Sequence, residues 1–210
     1  MNDIDTARGR STEARTAKWA DADAISETLG RAFVDDPMMC FVLNDESTRP
    51  AKMPRLFKLL FKLALPYGAC DVTNGVEAVT LWRPPGKWHM PFHQYIINGR
   101  EFVSIFGLGG RGLRAMSIMD FVEKHHPKEP HYYLQVIGTD PAKQGKGYGG
   151  VVMRRQLAVA DAARMPCYLE SSKETNIPIY QNFGFEITSE IRVPNGGPTL
   201  YAMWRKARAD

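Results

Sequence analysis

The chain has 210 residues, of which 44% are hydrophobic and 24% charged, and a formal net charge of +4. That length can bury a full core and predicts one mixed α/β domain of ordinary globular composition. The basic excess suits anionic ligands such as nucleotides or cofactor phosphates, but with no Lys/Arg run longer than two it argues against a nucleic-acid partner. Cys40, Cys70 and Cys167 are odd in number and widely spaced among apolar neighbours, which predicts buried free thiols in a reducing compartment. The opening MNDIDTARGRSTEAR holds no apolar signal core. The most apolar helix candidate, Leu56 to Leu65, is broken by Lys58 and Lys62 and is too short to span a bilayer. A cytoplasmic protein with no membrane partner is expected.

In chain order, residues 1–16 are polar and aperiodic and predict disorder, followed by one folded unit over 17–206. Asp21 or Asp23 can cap a helix that places Ile25, Leu29, Ala32 and Phe33 on one face and stops before Pro37. A second helix, from about Ala51 to Leu65, sets Leu56, Leu59, Leu60 and Leu63 opposite a solvated basic stripe of Arg55, Lys58 and Lys62. The period then changes. Ala69 to Thr73, the turn Asn74-Gly75 and Val76 to Trp82 predict a β-hairpin with a type I′ turn, ended by Arg83-Pro84-Pro85-Gly86. Residues 87–130 interrupt the sheet with a Trp-, His- and Met-rich segment and a helix near Leu113 to Lys124. Sheet resumes at Tyr132 and a helix ends near Ala163. CYLESS, a short helix around Ile179 to Asn182, and strands near Phe185 to Val193 and Thr199 to Trp204 follow.

Two stretches are rich in glycine. Gly107-Leu108-Gly109-Gly110-Arg111-Gly112 fits the G-x-G-x-x-G dinucleotide fingerprint, yet the chain beyond it runs into His125-His126-Pro127 where a second parallel strand is required. A glycine-rich start to a helix is the better reading. From Tyr132 to Ala163 the strand YYLQVIGTDP, the loop KQGKGYGG and the helical VVMRRQLAVADAA follow one another. That order presents free backbone N–H groups at a positive helix end, which makes an anion site, most often for phosphate.

Gln144-Gly145-Lys146-Gly147-Tyr148-Gly149 matches the Q/R-x-x-G-x-G/A loop that follows the fourth strand of GCN5-related N-acetyltransferases. Ile137-Gly138-Thr139-Asp140-Pro141 stands before it. After it come Asn176 to Phe185, similar to the family's N-x-x-x-Y-x-x-x-G-F block. With the blocks in this order the chain resembles that superfamily. Over residues 125–206, HHPKEPHYYLQVIGTDPAKQGKGYG, YLESSKETNIPIYQNFGF and VPNGGPTLYAMWRK are most similar to puromycin N-acetyltransferases, with AFVDDP and Leu81-Trp82-Arg83-Pro84-Pro85 as weaker echoes. The resemblance implies an α/β fold: a mixed, mostly antiparallel sheet of about seven strands flanked by helices, with a long insert between the third and fourth strands.

It also implies roles. Gly145, Lys146, Gly147, Tyr148, Gly149 and Gly150 would bind the acetyl-CoA pyrophosphate through their backbones, with Gln144 bracing the loop. Ile137 and Thr139, with Gly138 between them, would pair with the pantetheine arm and polarise the thioester carbonyl, and Asn176 would hydrogen-bond the arm. Glu170, in the Leu169-Glu170 pair, matches the family's strand-five acid, and Tyr180 matches its general acid. The chemistry needs both: an alkyl ammonium with pKa ~10 must lose a proton, and the departing thiolate must gain one. Puromycin acetyltransferases carry an aromatic residue before the proline of the block matching AFVDDP. Here Asp36 stands there, a change expected to remodel the amine pocket. Residues 88–124 are read as an insert over that pocket, with Trp82, Trp88, Phe92 and Tyr95 offering aromatic surface to a small, partly aromatic amine.

Cys167 lies three residues before Glu170 and therefore on the opposite strand face, with no histidine after it, which speaks against a cysteinyl intermediate. His89 and His93 have i, i+4 spacing but no carboxylate or cysteine to complete a set, so no metal is expected. The five histidines are read as loop or pocket-wall residues. The expectation is acetyl-CoA-dependent N-acetylation of a small-molecule primary amine, such as an antibiotic or aminonucleoside-like compound, by direct transfer in a ternary complex of a monomer or homodimer. The alternatives are an acetyl-CoA-binding sensor domain, which needs neither Glu170 nor Tyr180, and a peptide or protein N-acetyltransferase, which needs an open groove.

Overall fold

The computed structural model describes residues 13–89 and 91–208, with the backbone alone for Phe92 and Tyr95. The period-two runs form strands β1 (Ala14–Thr16), β2 (Cys70–Thr73), β3 (Ala78–Arg83), β4 (Tyr132–Thr139), β5 (Cys167–Ser171), β6 (Glu186–Arg192) and β7 (Thr199–Arg205). The helices are α1 (Ala22–Ala32), α2 (Pro37–Val42), α3 (Arg49–Ala64), α4 (Phe92–Ile97), α5 (Gly99–Phe106), α6 (Gly110–Lys124), α7 (Tyr148–Ala162) and α8 (Ile177–Gln181). Among the described residues the strands make one seven-stranded sheet in the order β1-β2-β3-β4-β5-β7-β6. Every neighbouring pair is antiparallel except β4 and β5.

That parallel pair is short. It holds only the rungs Tyr132↔Cys167 and Tyr133↔Tyr168, whereas on its other edge β4 pairs with β3 as far as Ala78↔Thr139. From Leu134 onward β4 and β5 part, and among the described residues one edge of β4 is left without a neighbouring strand. The β3–β4 register also slips, from Leu81↔Val136 to Trp82↔Leu134, which makes Gln135 the extra residue of a bulge. The bulge reverses the alternation of β4, so Gly138 faces α1 while Thr139 faces α7.

Both faces are covered. On one, Ile25 and Leu29 of α1 and Met53 and Phe57 of α3 pack on Val72, Val79, Leu81 and Val136. On the other, Met153, Leu157 and Ala160 of α7 pack on Trp82, Leu134, Cys167 and Leu169. The approach of α1 is close: a Cβ at Gly138 would lie 2.7 Å from Leu29 Cδ2 and 3.1 Å from Ala32 Cβ. Gly138→Ala is therefore expected to cost about 1–3 kcal/mol through overpacking. Denaturant unfolding reads this directly, and an unchanged midpoint would show that α1 gives way freely.

The structure departs from the sequence expectations at several points. The disorder expected over 1–16 ends sooner: Ala14–Thr16 pairs with β2, and Arg15 locks onto Asp21 with two hydrogen bonds of 2.8 and 2.7 Å. Residues 1–12 lie outside the described residues. The hairpin turn is not type I′, because positive φ falls on Val76 (58°) and not on Asn74 or Gly75. Burial of Val76 and a hydrogen bond from Thr28 Oγ1 to its carbonyl (2.9 Å) hold that geometry. The chain between β3 and β4 carries three helices where one was expected. Its glycine stretch joins α5 to α6, so no strand precedes it as a dinucleotide fingerprint requires. Helix α2 was not foreseen either; Asp36 caps it by accepting from Met39 N–H (3.0 Å), with Pro37 at its first position. Cys70 and Cys167 are buried thiols, while Cys40 is only half-buried. Among the described residues no helix is long and apolar enough to cross a membrane.

Candidate active site

The glycine loop leads from β4 into α7, whose N-cap is Gly147 and whose first turn has no side-chain cap. Gly145 and Gly147 adopt φ of +75° and +82°, and a Cβ at either would meet none of the described residues within 4 Å. Uncapped N–H groups at the positive end of a 15-residue helix thus border open space, a fit for a pyrophosphate. The space is a groove of about 490 Å³. Ile137, Gly138 and Thr139 form one wall, Asn176 and Tyr180 the other, and Gly145, Gly147, Tyr148, Gly149 and Gly150 close its end. Gln144 lines it too and reaches back to donate to the Thr139 carbonyl (3.2 Å). Among the expected donor-side residues, exposed Lys146 alone does not line the groove. Gly147→Ala would force a left-handed φ on an L-residue, at a cost of about 1–2 kcal/mol. Its methyl would also enter the groove, so calorimetry should show acetyl-CoA affinity reduced about tenfold or more.

A second cavity, of about 520 Å³, shares Phe33 and Asp36 with the groove. Its floor follows from the register. Arg83 and Tyr133 pair across β3 and β4 and line it; Tyr168 of β5 continues the row beneath, and Glu170, two residues beyond on the same face, lines it again. Phe57 and Leu60 of α3, Val122 of α6 and Trp88 supply apolar walls. Trp88 stacks on His126 at 4.1 Å. Trp82 does not belong here: strand alternation turns it away from the cavity to the α7 side, fully buried, and gives the place to Arg83. Arg83 donates to the Leu63 carbonyl (2.6 Å) in the last turn of α3 and to Gln135 Oε1 (3.0 Å), and burial lowers its pKa. The cation thus complements a helix C-terminus. Asp36, at the junction, is held by Ser172 Oγ (2.5 Å) as well as by its capping bond. The side chains of Phe92 and Tyr95 lie outside the described residues.

Tyr180 is buried at the groove, and burial followed by the nearby Asp36 charge raises its pKa, so the phenol keeps its proton through neutral pH. The Glu170 side chain is 6% exposed, and its Oε1 lies 3.4 Å from His126 Nδ1. That oxygen is buried and has no hydrogen-bond partner among the described residues. The Tyr133 and Tyr168 phenols stand beside the same carboxylate. Burial first, then the Glu170 charge, raises the pKa of both. Behind Glu170 is an arrangement the sequence reading left as pocket wall: His126 Nε2 lies 2.9 Å from His131 Nε2, and His131 Nδ1 lies 2.6 Å from the Glu129 carbonyl. The signal was HPKEPH, a Pro-bounded turn with a histidine at each end, set just before β4.

Among the described residues no group of three or more His, Cys, Asp or Glu side chains could hold a metal; His89 pairs with Glu123. Cys167 faces α7, and burial pushes its thiol up to about 12, far from a thiolate nucleophile.

No family model matches the chain. It is similar to an uncharacterized N-acetyltransferase of Schizosaccharomyces pombe, 26% identical over 189 residues that span 85% of this chain and 76% of that protein. A solved structure described as histone acetyltransferase HPA2 and related acetyltransferase, from Corynebacterium glutamicum, superposes with a TM-score of 0.73 at 25% identity, over 95% of this chain and 98% of that one. Arylalkylamine N-acetyltransferase 2 from Aedes aegypti shares the fold, with a TM-score of 0.64 at 14% identity over 93% and 99% of the two chains. The fold is that of the GCN5-related N-acetyltransferases, and the relatives that share it along most of their length support the same enzyme class for this protein.

Proposed function

We propose that the protein transfers an acetyl group from acetyl-CoA to the primary amine of a small molecule, directly and within one ternary complex. The observation that carries this reading is the meeting of the groove and the cavity at Phe33 and Asp36, with Tyr180 lining one and Glu170 the other. The backbone of residues 145–150 would hold the pyrophosphate. The open edge of β4 at Ile137–Thr139, with Asn176 opposite, would align the pantetheine arm. Glu170 takes a proton from the acceptor ammonium, and Tyr180 supplies one to the departing sulfur. A sensor without turnover would need neither group.

The walls favour an acceptor with an apolar or aromatic body. Trp88, Phe57, Leu60 and Tyr133 surround a cavity whose carboxylate sits in the floor. The name arylalkylamine N-acetyltransferase borne by one fold neighbour fits that shape. Puromycin-like aminonucleosides, which also pair an aromatic body with an amine, belong in the same trial. Residues 88–124 would act as the cover over the bound amine, and the free thiols fit a cytoplasmic setting.

Thiol release from acetyl-CoA across a panel of arylalkylamines, polyamines and aminonucleosides tests this. Acceptor-dependent release, fastest with aromatic amines, is expected. Acetyl-CoA binding with no release under any acceptor would replace the enzyme reading with the sensor.

A further inference from the structure

We propose that His126 and His131 position Glu170 as the base: the carboxylate and the His126 imidazole form a dyad that shares the one proton taken from the acceptor, and His131 dictates which His126 nitrogen faces it. This rests on the reading of Glu170 as the base. A backbone carbonyl only accepts hydrogen bonds, so His131 Nδ1, 2.6 Å from the Glu129 oxygen, carries a hydrogen. Burial lowers the His131 pKa, so the ring is neutral and its Nε2 is a lone pair. That lone pair, 2.9 Å from His126 Nε2, requires a hydrogen there. When neutral, His126 therefore turns a bare Nδ1 toward Glu170 Oε1 at 3.4 Å. Two electron-rich atoms this close in a dry site repel, and a single proton between them removes the conflict.

The Tyr133 and Tyr168 phenols also face the Glu170 carboxylate and interact with it. Trp88 stacks on one face of His126, and Tyr133 and Tyr168 stand edge-on to it. Those two phenols keep their protons. Of the charged groups in the same cavity, Arg83 is engaged by Leu63, Lys62 by Asn98 and Glu101, Glu123 by His89, and Asp36 by Ser172.

The protons balance as follows. The ammonium N–H bond breaks toward the proton-free dyad, and the freed nitrogen pair bonds to the acetyl carbon as the carbonyl π pair moves to oxygen, to return when sulfur leaves. The C–S bond then breaks, sulfur takes the Tyr180 proton, and Tyr180 recovers one from the nitrogen. One proton stays on the dyad and leaves to water with the products. His126 is thus a positioning residue: its Nδ1 lone pair shares the proton that Glu170 takes from the acceptor.

Nitrogen-15 NMR of histidine-labelled protein, without substrate, tests the dyad apart from turnover. Neutral His131 should carry its proton on Nδ1 and neutral His126 on Nε2. Glu170→Gln, which removes the neighbouring negative charge, should lower the His126 midpoint by about one pH unit or more. A neutral His126 protonated on Nδ1, or a midpoint that Glu170→Gln does not move, would overturn the proposal. In kinetics, His126→Gln offers an amide that holds Glu170 ionised. The acid limb of kcat/KM should move to lower pH, and the plateau should fall about tenfold or more; an unchanged limb and plateau would also overturn it. Should the parent acetylate no amine, the acetyltransferase reading fails, and the NMR result alone decides the dyad.

Discussion

Glu170→Gln is expected to lower kcat by about 10²- to 10⁴-fold, the usual contribution of a positioned general base, while leaving acetyl-CoA affinity unchanged. The separation follows from geometry: Glu170 lines the acceptor cavity and is not among the residues of the donor groove. The amide keeps the shape of the carboxylate, so the loss reports proton transfer and not packing. Tyr180→Phe should fall in the same range if the phenol protonates sulfur, and should cost little if the ring only packs on Phe185. Since the Tyr180 pKa is raised, its acid form persists through neutral pH and no alkaline loss of rate from it is expected below pH ~10. Steady-state kinetics over pH 5–9 with the best amine of the panel would read both variants, and parental rates in the two together would remove the acid/base assignment.

The largest expected loss of stability lies elsewhere. Arg205 of β7 has a side chain 3% exposed. Its guanidinium holds Asp161 of α7 with two bonds of 2.6 and 2.8 Å and donates to the Phe183 carbonyl at 3.0 Å. Asp161→Ala strands that cation in the interior, which costs about 3–5 kcal/mol for fully buried pairs. Asp161 itself keeps 29% exposure, so water softens the loss and about 2–3 kcal/mol is expected. The hydrogen bond to Arg205 lowers the Asp161 pKa. A depressed folded-state value makes this stabilisation complete above the unfolded pKa of ~3.9 and progressively lost as pH falls through the folded value. Urea unfolding should therefore show a gap between parent and variant that is full at pH 7 and narrows below about pH 4. A gap constant across that range would mean that packing, and not charge, holds the corner.

What was legible in the sequence is what is encoded locally. The strand, glycine loop and helix of residues 132–163 declare themselves through hydrogen-bonding geometry that any chain with those residues must satisfy, and the faces of Cys167 and Glu170 follow from alternation alone. What escaped depends on distant partners. Nothing local says that β7 slips between β5 and β6, since both candidate strands look alike until their neighbours are known. Trp82 was placed in the pocket because aromatics line pockets. One position along, the charged Arg83 lies there instead, because the C-terminus of α3 needs a cation. His126 was passed over because its meaning depends on Glu170, 44 residues later.

The two rungs that join β4 to β5 have a mechanical consequence. Among the described residues, strands β1 to β4 and β5 to β7 are stitched together in the sheet by those two rungs alone, with α7 packed across both sets as a clamp. Groove and cavity both open beyond that seam, one lined by Ile137–Thr139 of β4 and the other by Val136 of β4 and Glu170 of β5. A molecule laid along the free edge of β4 would take the place of the missing rungs and share Phe33 and Asp36 with whatever fills the neighbouring cavity.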